Sequence, residues 1–307
     1  MAIDFYSQIS SNKRMTILLF IAFFILVGVL AGIVSLLLGG FSIIGGMFLS
    51  GFGVLIILFA VISYYNCDSI VTAVSGAKEA PPEKFKQLHN LVEEMCIASG
   101  LPKPRVFVIE DTAINAFATG RDPNHSVVCV TTGALQFLNR EELQGVIAHE
   151  LSHIKNYDIR TMTIATVLVG IAVLLSDFLL RMVFYSGGRH GSSDSKDARL
   201  FIIILVVGVI LAILTPFIAQ IIQFSISRKR EFAADAGSAE MTRNPLGLAS
   251  ALEKISKDKE PLEAANKATA HLYISDPLKN TKGLWLKGLF QTHPPIEMRI
   301  AALKGMN

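Results

Sequence analysis

The chain has 307 residues, of which 51% are hydrophobic and only 17% are charged, and its formal net charge is +3. A mean hydropathy of +0.50 is too high for an ordinary soluble enzyme, so part of the chain is predicted to lie in a bilayer. The small net charge and the lack of a basic tract interleaved with aromatic residues exclude a nucleic-acid partner.

Two apolar segments predict an N-terminal transmembrane hairpin in residues 1–65. The first covers residues 15–38, after Lys13 and Arg14, and the second covers residues 41–65. Each exceeds the roughly 20 helical residues that a hydrocarbon core requires. A secretory signal would have a shorter apolar stretch and a small-x-small cleavage site, so the first segment is interpreted as an uncleaved anchor.

Residues 66–160 are predicted to form the first part of a catalytic domain, because charged residues and both structural periods appear there. We expect a helix from Pro81 to near Gly100 and strands at Arg105–Ile109 and 126–131. Between the strands lies a segment that begins with Asn115, Ala116 and Phe117. It is either an edge strand that pairs with an extended substrate, or an ordinary core strand with Phe117 buried.

A metal-binding helix is predicted to follow Asn139, which can form a capping box with Glu142. His149 and His153 belong to an HExxH motif, and residues four apart lie one helical turn from each other, so both imidazoles can reach one cation. The apolar stripe of the helix is expected to face the core, which leaves both histidines on a free face. Glu150 would lie beside the ion and take a proton from metal-bound water. The alternative is an accidental motif at the surface.

Residues 161–224 are predicted to form a second pair of transmembrane helices, at 161–180 and 200–222, joined by a Gly/Ser-rich loop. These segments can also be long hydrophobic helices that are only partly immersed. Basic residues before the first segment and at 228–230 after the fourth place both termini and the catalytic domain on the cytoplasmic side.

A third metal ligand is expected in residues 225–307, the second part of the catalytic domain, because a catalytic zinc usually has three protein ligands. The candidates are Glu231, Asp235, Glu240, His271 and His293. Glu231 is favoured because alanines around it allow a close approach to the His149 helix. Asp235, one turn later, can accept the free N–H of a ligand imidazole. The alternative is that Glu231 only extends the exposed charge run at 228–230.

Four motifs in this order resemble those of the HtpX family of bacterial membrane metalloproteases, which are relatives of the CAAX prenyl endopeptidases. They follow the first pair of apolar segments and are Asn115-Ala-Phe-Ala-Thr-Gly, His149-Glu-Leu-Ser-His-Ile-Lys-Asn-Tyr-Asp, Arg230-Glu-Phe-Ala-Ala-Asp-Ala and His293-Pro-Pro. The resemblance implies that one Zn²⁺ is bound by the residues His149, His153 and Glu231.

The same resemblance implies roles for the neighbouring residues. Glu150 would be the general base, and Asp235 would support a ligand from behind. His293 and Arg299 would reach the cleft and touch the substrate carbonyl or the developing oxyanion; the alternative is a Pro-Pro turn followed by a surface arginine. Independently of the resemblance, the edge-strand interpretation predicts that Asn115, Ala116 and Phe117 bind the substrate main chain.

The expected fold is an α-helical integral membrane protein with a mostly helical α+β zincin-like metalloprotease domain that contains a small β-sheet. The resemblance implies a multi-pass zinc endopeptidase of the bacterial inner membrane, with its site on the cytoplasmic side. It would act in stress response and quality control, with misfolded or damaged membrane proteins, unfolded polypeptides and the lipid bilayer as partners. The alternatives are a processing protease of the CAAX prenyl endopeptidase type and a catalytically idle membrane zinc-binding scaffold.

Overall fold

The computed structural model of the chain describes residues 61–168, 228–265, 269–275 and 293–306, together with 10, 14–22, 24–25, 51, 54, 58–59, 202, 206 and 209–210. The chain divides into two compact units. Unit 1 comprises residues 1–16, 66–166 and 222–307, and unit 2 comprises residues 17–65 and 167–221. The HExxH motif and the other proposed site residues lie in unit 1.

The predicted spans at 15–38, 41–65, 161–180 and 200–222 lie largely outside the described residues. The parts that are described, among them 14–22, 61–65 and 161–168, are helical. Within the described residues, no helix combines the length and the apolar character that crossing a bilayer requires. The four spans and the loop between the third and fourth stay predictions.

The described part of unit 1 is mostly helical with one small sheet, as predicted. Its helices are α1 (Cys67–Val74), α2 (Lys86–Ser99), α3 (Thr132–Phe137), α4 (Arg140–Lys155), α5 (Arg228–Thr242), α6 (Pro245–Lys257) and α7 (Ile296–Lys304). Residues 158–168 are also helical, and a 3₁₀ turn covers Ala270–Leu272. The strands are β1 (Lys78–Glu79), β2 (Arg105–Ile109), β3 (Ala116–Asp122) and β4 (His125–Thr131).

The four strands form a mixed sheet in the order β1-β2-β4-β3. Strand β2 runs parallel to β4, with Val106 opposite Val128, while β3 runs antiparallel to β4, with Ala116 opposite Val130. The two strands predicted from apolar runs are confirmed, and β4 begins one residue earlier, at His125. Because β3 is the last strand in this order, it forms one edge of the sheet.

Helix α2 begins later than the prolines predicted. The N–H groups of Lys84 and Phe85 both donate to the carbonyl of Pro81, at 3.1 and 3.0 Å, so the chain makes a tight turn before the helix starts at Lys86. The end of the helix is as expected, because Gly100 adopts the left-handed conformation with φ of 70°.

Helix α4 begins at the predicted capping box and runs through the centre of unit 1. Asn139 accepts the backbone N–H of Glu142 at 2.9 Å, and the Glu142 carboxylate accepts the N–H of Asn139 at 2.8 Å. The expectation of a free histidine face is wrong: His149 and His153 are 1% and 5% exposed. The small residues of α5, such as Gly237, let that helix pack directly on this face.

Candidate metal centre

Helices α4 and α5 bring three potential metal ligands together. The Nε2 atoms of His149 and His153 lie 3.2 Å apart. The Glu231 carboxylate places Oε2 3.8 Å from His149 Nε2 and Oε1 3.6 Å from His153 Nε2. One ligand atom from each of the three residues therefore lies within 4.8 Å of the others, and all three side chains are buried.

These distances suit a zinc ion. Tetrahedral ligands at about 2.0–2.1 Å from zinc lie roughly 3.3 Å from one another, close to the observed separations. Glu231 is fully buried, and within the described residues neither of its carboxylate oxygens accepts a hydrogen bond of normal geometry. Oε2 has ionic contacts with His293 Nδ1 and Arg299 Nη1, whereas Oε1 faces His153 Nε2, so a metal ion between Oε1 and the two imidazoles would satisfy this buried oxygen. Two imidazoles and one carboxylate are a known donor set for catalytic zinc.

The other ring nitrogen of each histidine is held by an aspartate. His149 Nδ1 lies 3.0 Å from an Asp235 oxygen, and His153 Nδ1 lies 3.0 Å from an oxygen of Asp158. If each Nδ1 carries the proton and donates it to the carboxylate, each Nε2 keeps its lone pair for the metal. The hydrogen-bond network thus assigns the tautomer that a zinc ligand requires.

Asp158 was not identified as a site residue from the sequence. Helix α4 ends at Lys155, and Tyr157 adopts a positive φ of 60° that turns the chain. Asp158 then starts the helical segment 158–168 with its carboxylate directed back at His153. The sequence shows that Asp158 follows His153 by five residues, but whether the two side chains meet depends on this turn. A positive φ is uncommon for a residue other than glycine, so local preferences do not predict the turn at Tyr157.

Arg299 is 1% exposed, so the alternative of a surface arginine is wrong. Its Nε and Nη2 donate to the two oxygens of Asp235, at 2.9 and 2.7 Å, and its Nη1 donates to the carbonyl of Ile274 at 2.9 Å. The guanidinium therefore grips the aspartate that orients His149. Its Nη1 also lies 3.4 Å from a Glu231 oxygen. The expected contact of Arg299 with substrate stays a prediction.

His293 lies beside the third ligand. Its Nδ1 is 3.0 Å from Glu231 Oε2, and its side chain is 10% exposed. The remaining candidate ligands, His271 and Glu240, do not join the cluster of His149, His153 and Glu231. His271 is bonded through Nε2 to Thr166 Oγ1 at 3.1 Å, and Glu240 is exposed.

Burial dominates the electrostatics of the general-base candidate. It raises the pKa of Glu150 to about 7, and the nearby Glu231 charge adds to this, while the His153 and Arg299 charges and a hydrogen bond from the backbone N–H of Ala118 oppose it. A carboxylate with a pKa near neutrality can both accept and release a proton at pH 7.

The pKa values of the three candidate ligands shift in different directions. Burial lowers the pKa of His149 to about 4, although its hydrogen bond to Asp235 partly offsets this. Burial also lowers the pKa of His153, but the hydrogen bond to Asp158 and the Glu231 charge outweigh it and raise the pKa to about 9. For Glu231, burial raises the pKa, yet the His293 and Arg299 side chains hold it well below the usual range. The third ligand is therefore ionised.

Strand β3 is an edge strand, but several backbone groups on its outer side are already hydrogen-bonded within the chain. The carbonyl of Ala116 accepts the N–H of Ile274 at 3.0 Å, and the N–H of Gly120 donates to Thr163 Oγ1 at 3.2 Å. By the alternation of an antiparallel strand, Ala118 also faces outward, and its N–H reaches Glu150. The outward backbone groups next to the Glu150 carboxylate are therefore those of Ala118.

The residues proposed to bind substrate are less accessible than expected. Phe117 is fully buried and its ring packs edge-on against Tyr273, with centroids 5.1 Å apart. Asn115 is 2% exposed and donates to the Ser275 carbonyl at 3.4 Å. Residues 273–275 cover Asn115, Ala116 and Phe117, which leaves Ala118, itself only 3% exposed, as the next position on the outer side of β3 where a substrate strand could pair.

Comparison with known proteins identifies the family. Residues 82–307 match the model of peptidase family M48. The chain is 46% identical over 301 residues to a protein named Protease HtpX homolog from Caldanaerobacter subterraneus subsp. tengcongensis, covering 98% of this chain and 97% of that protein. Homologues of the same name from Dictyoglomus turgidum and Streptococcus uberis are 46% and 40% identical over 98% of this chain, and over 95% and 99% of theirs.

A solved structure also shows some similarity. The crystal structure of S. mikatae Ste24p matches with a TM-score of 0.48 and 18% sequence identity, covering 81% of this chain and 57% of that chain.

Proposed function

The chain belongs to peptidase family M48 and to its HtpX-type proteases, and on that premise we propose that it is a zinc-dependent endopeptidase that clears misfolded membrane proteins. The observation that carries the zinc assignment is the buried Glu231 carboxylate, which faces two imidazole Nε2 atoms and whose Oε1 accepts no hydrogen bond of normal geometry within the described residues. Zinc held at His149, His153 and Glu231 would polarise the scissile carbonyl and lower the pKa of a water to about 7.

Glu150 is proposed as the proton carrier. Its carboxylate would take the proton of the attacking water and pass it to the leaving amine. The position fits, because Glu150 follows His149 directly on α4, and burial sets its pKa to about 7. Asp235 and Asp158 would hold the ligand imidazoles in place, while Arg299 neutralises Asp235.

The substrate is proposed to be an extended polypeptide. Ala118 presents its backbone beside Glu150 at the edge of the sheet, and pairing along a strand edge reads the main chain with little side-chain selectivity. This mode suits an enzyme that acts on many unfolded sequences. His293 would then assist at the oxyanion, which a donor in a water-excluded site stabilises strongly. Arg299, whose donors are engaged by Asp235 and the Ile274 carbonyl, would act through Asp235 and His149.

A membrane location is proposed from the apolar segments. Within unit 2, the described residues expose large apolar side chains, including Ile17, Leu18, Ile25, Leu58 and Ile62, each more than 50% exposed. Water-exposed apolar surface of this kind is typical of contact with lipid or protein. We propose a multi-pass protein of the bacterial inner membrane with the metal centre on the cytoplasmic side, because basic residues flank the first and fourth apolar segments.

The test compares the full chain in detergent with its Glu150→Gln variant, using an unfolded membrane protein as substrate. The amide keeps the shape of the side chain but cannot carry the proton. We expect cleavage to fall by about 10²- to 10⁴-fold, while the zinc content stays that of the parent. A chelator should abolish the parent's cleavage, and added zinc should restore it.

Glu141→Gln is the matched control, since Glu141 lies on the same helix but is exposed at its first turn. It should cleave like the parent. Cleavage by Glu150→Gln at the parent's rate would refute the role of Glu150. Zinc binding without any cleavage by the parent would favour the idle scaffold instead.

A further inference from the structure

Helices α4 and α5, which carry the three ligands, touch at a glycine. A Cβ atom on Gly237 of α5 would overlap the Oγ of Ser152 on α4 and would lie 3.1 Å from the Ser152 Cβ. Ser152 stands between the two ligand histidines on the same helix. At this contact α5 contributes no side chain, which lets the two helices approach closely.

A hydrogen bond also joins the two helices, next to Gly237 on α5 and about two turns before Ser152 on α4. Ser238, next to Gly237, donates through its hydroxyl to the carbonyl of Gly145 at 2.7 Å, and Ser238 is fully buried. Asp235 lies two residues before Gly237, and Glu231 lies six residues before it, which is about 9 Å along a helix. A shift of α5 at this contact would therefore move both carboxylates.

Ser152 itself makes no hydrogen bond through its buried Oγ within the described residues. The small size of Ser152, and not a hydrogen bond, is therefore what matters for packing at this position. Rotating the hydroxyl away would not make room for a methyl at 237, because the two Cβ atoms would still be 3.1 Å apart, and carbons normally pack at about 3.5–4.0 Å. To reach a normal carbon–carbon distance, the two helices would have to move apart by about 0.5 Å. Residues of a functional site must be held within about 0.5 Å of their working positions, so this shift is large enough to matter.

We propose that Gly237, packed on Ser152, is a positioning residue that sets the separation of α4 and α5 and thereby the distance from Glu231 to the two imidazoles. The proposal rests on the proposed function, because it assumes that zinc binds at these three side chains. Gly237 touches neither metal nor substrate; it acts through the helix that carries Glu231 and Asp235.

The experiment measures zinc affinity of the purified full chain by competition with a chromophoric chelator, for the parent, Gly237→Ala and the double variant Gly237→Ala/Ser152→Gly. We expect Gly237→Ala to bind zinc about 10- to 100-fold more weakly than the parent. The double variant removes the opposing side chain and should return to within about threefold of the parent. The d–d absorption of bound Co²⁺, which reports the ligand set, should change in the single variant and recover in the double.

Gly247→Ala is the matched control. Its added Cβ would lie 2.8 Å from the Glu141 carbonyl oxygen, between α6 and the start of α4. This contact is also strained by the substitution, but it lies eight residues before His149 and not beside the proposed ligands. Its folded form should bind zinc as the parent does. Parent-like zinc affinity in Gly237→Ala, or a double variant no better than the single, would overturn the proposal.

Other outcomes remain decisive. If Gly237→Ala does not fold, the double variant decides alone: near-parental affinity supports the proposal, and weak affinity or failure to fold overturns it. If the parent binds no zinc, the proposed function fails with it; if the parent binds zinc and Gly237→Ala matches it, only this inference fails.

Discussion

Arg299 lies inside unit 1 with its guanidinium between Asp235 and the Ile274 carbonyl. The fork of two short bonds to one carboxylate fixes that carboxylate at 3.0 Å from His149 Nδ1. Arg299 and Asp235 thus link the position of α7 to that of His149, a proposed metal ligand. The HExxH motif locates the histidine, but only the folded chain shows this support.

Replacing Arg299 by glutamine should destabilise the chain strongly. The change leaves the buried Asp235 carboxylate without its cation, and breaking a buried ion pair from one side costs about 3–5 kcal/mol. Denaturant unfolding of the full chain in detergent measures the loss. Lys304→Gln on the same helix is the control, because Lys304 and Glu253 form an exposed pair, and it should leave the unfolding midpoint unchanged. Equal midpoints for the two variants would contradict the role of Arg299.

The predictability of the site differs from residue to residue. His149, Glu150 and His153 follow from local spacing on one helix. Glu231 approaches the histidines only through a contact between helices that are distant in sequence. The alanines around it favoured Glu231 among the candidate third ligands but left the others open, and the family resemblance then singled it out. Asp158 could not be found, because its orientation depends on the left-handed turn at Tyr157.

At the scale of elements, the N-terminus of α4 is anchored by one buried carboxylate. Glu142 accepts the Asn139 N–H, the Ser250 hydroxyl at 2.6 Å and the Lys254 ammonium at 2.6 Å. Burial alone would raise its pKa, but these donors outweigh it and lower the pKa below the ordinary 4.5. A lowered pKa in the folded state contributes stability that is present above pH 4.5 and is lost as the pH falls through the folded-state value.

The Glu142→Gln variant should therefore lose about 1–2 kcal/mol of unfolding free energy relative to the parent at pH 7. The difference should shrink as the pH drops below 4.5, because the parent then loses the same contribution. Urea unfolding of both chains, each stripped of metal, at several pH values measures this. A difference that stays constant with pH would contradict the role of the ionised carboxylate.

Strand β3 gives a second prediction at this scale. The N–H of Ala118 points outward, so proline there breaks no bond to β4, and edge strands tolerate proline at such positions. Ala118→Pro should fold and bind zinc but lose at least about tenfold in kcat/KM, because proline removes the N–H that reaches Glu150 and that a substrate strand would pair with. Ala116→Pro, where residues 273–275 already cover the edge, should lose less. Parent-like turnover in Ala118→Pro would remove substrate pairing from this edge.

At the scale of elements, the sequence predicted the strands and the capping box better than helix packing. The alternating and apolar runs of β2 and β4 are local signals, as is the pairing of Asn139 with Glu142. The burial of the whole circumference of α4 depends on the close approach of α5, and no local period of α4 reveals it. The covering of Asn115 by residues 273–275 is likewise a long-range contact.

At the scale of the whole molecule, the metal centre joins parts of the chain that the apolar segments separate. His149 and His153 precede the third predicted span, while Glu231 and Arg299 follow the fourth. All lie in unit 1, which is assembled from three stretches of chain. Because the ligands are brought together only in the folded unit, binding of the metal ion is expected to stabilise the whole unit.

The central claim is that one zinc ion is held jointly by His149, His153 and Glu231. The most direct test is metal analysis and X-ray absorption of the purified full chain, compared with Glu231→Gln and with Glu240→Gln as an exposed control on the same helix. The account predicts one zinc per chain with two nitrogen ligands and one carboxylate in the parent and in Glu240→Gln, and at least about a 100-fold loss of affinity in Glu231→Gln. A Glu231→Gln chain that keeps its zinc with the parent's affinity and ligand set would contradict it.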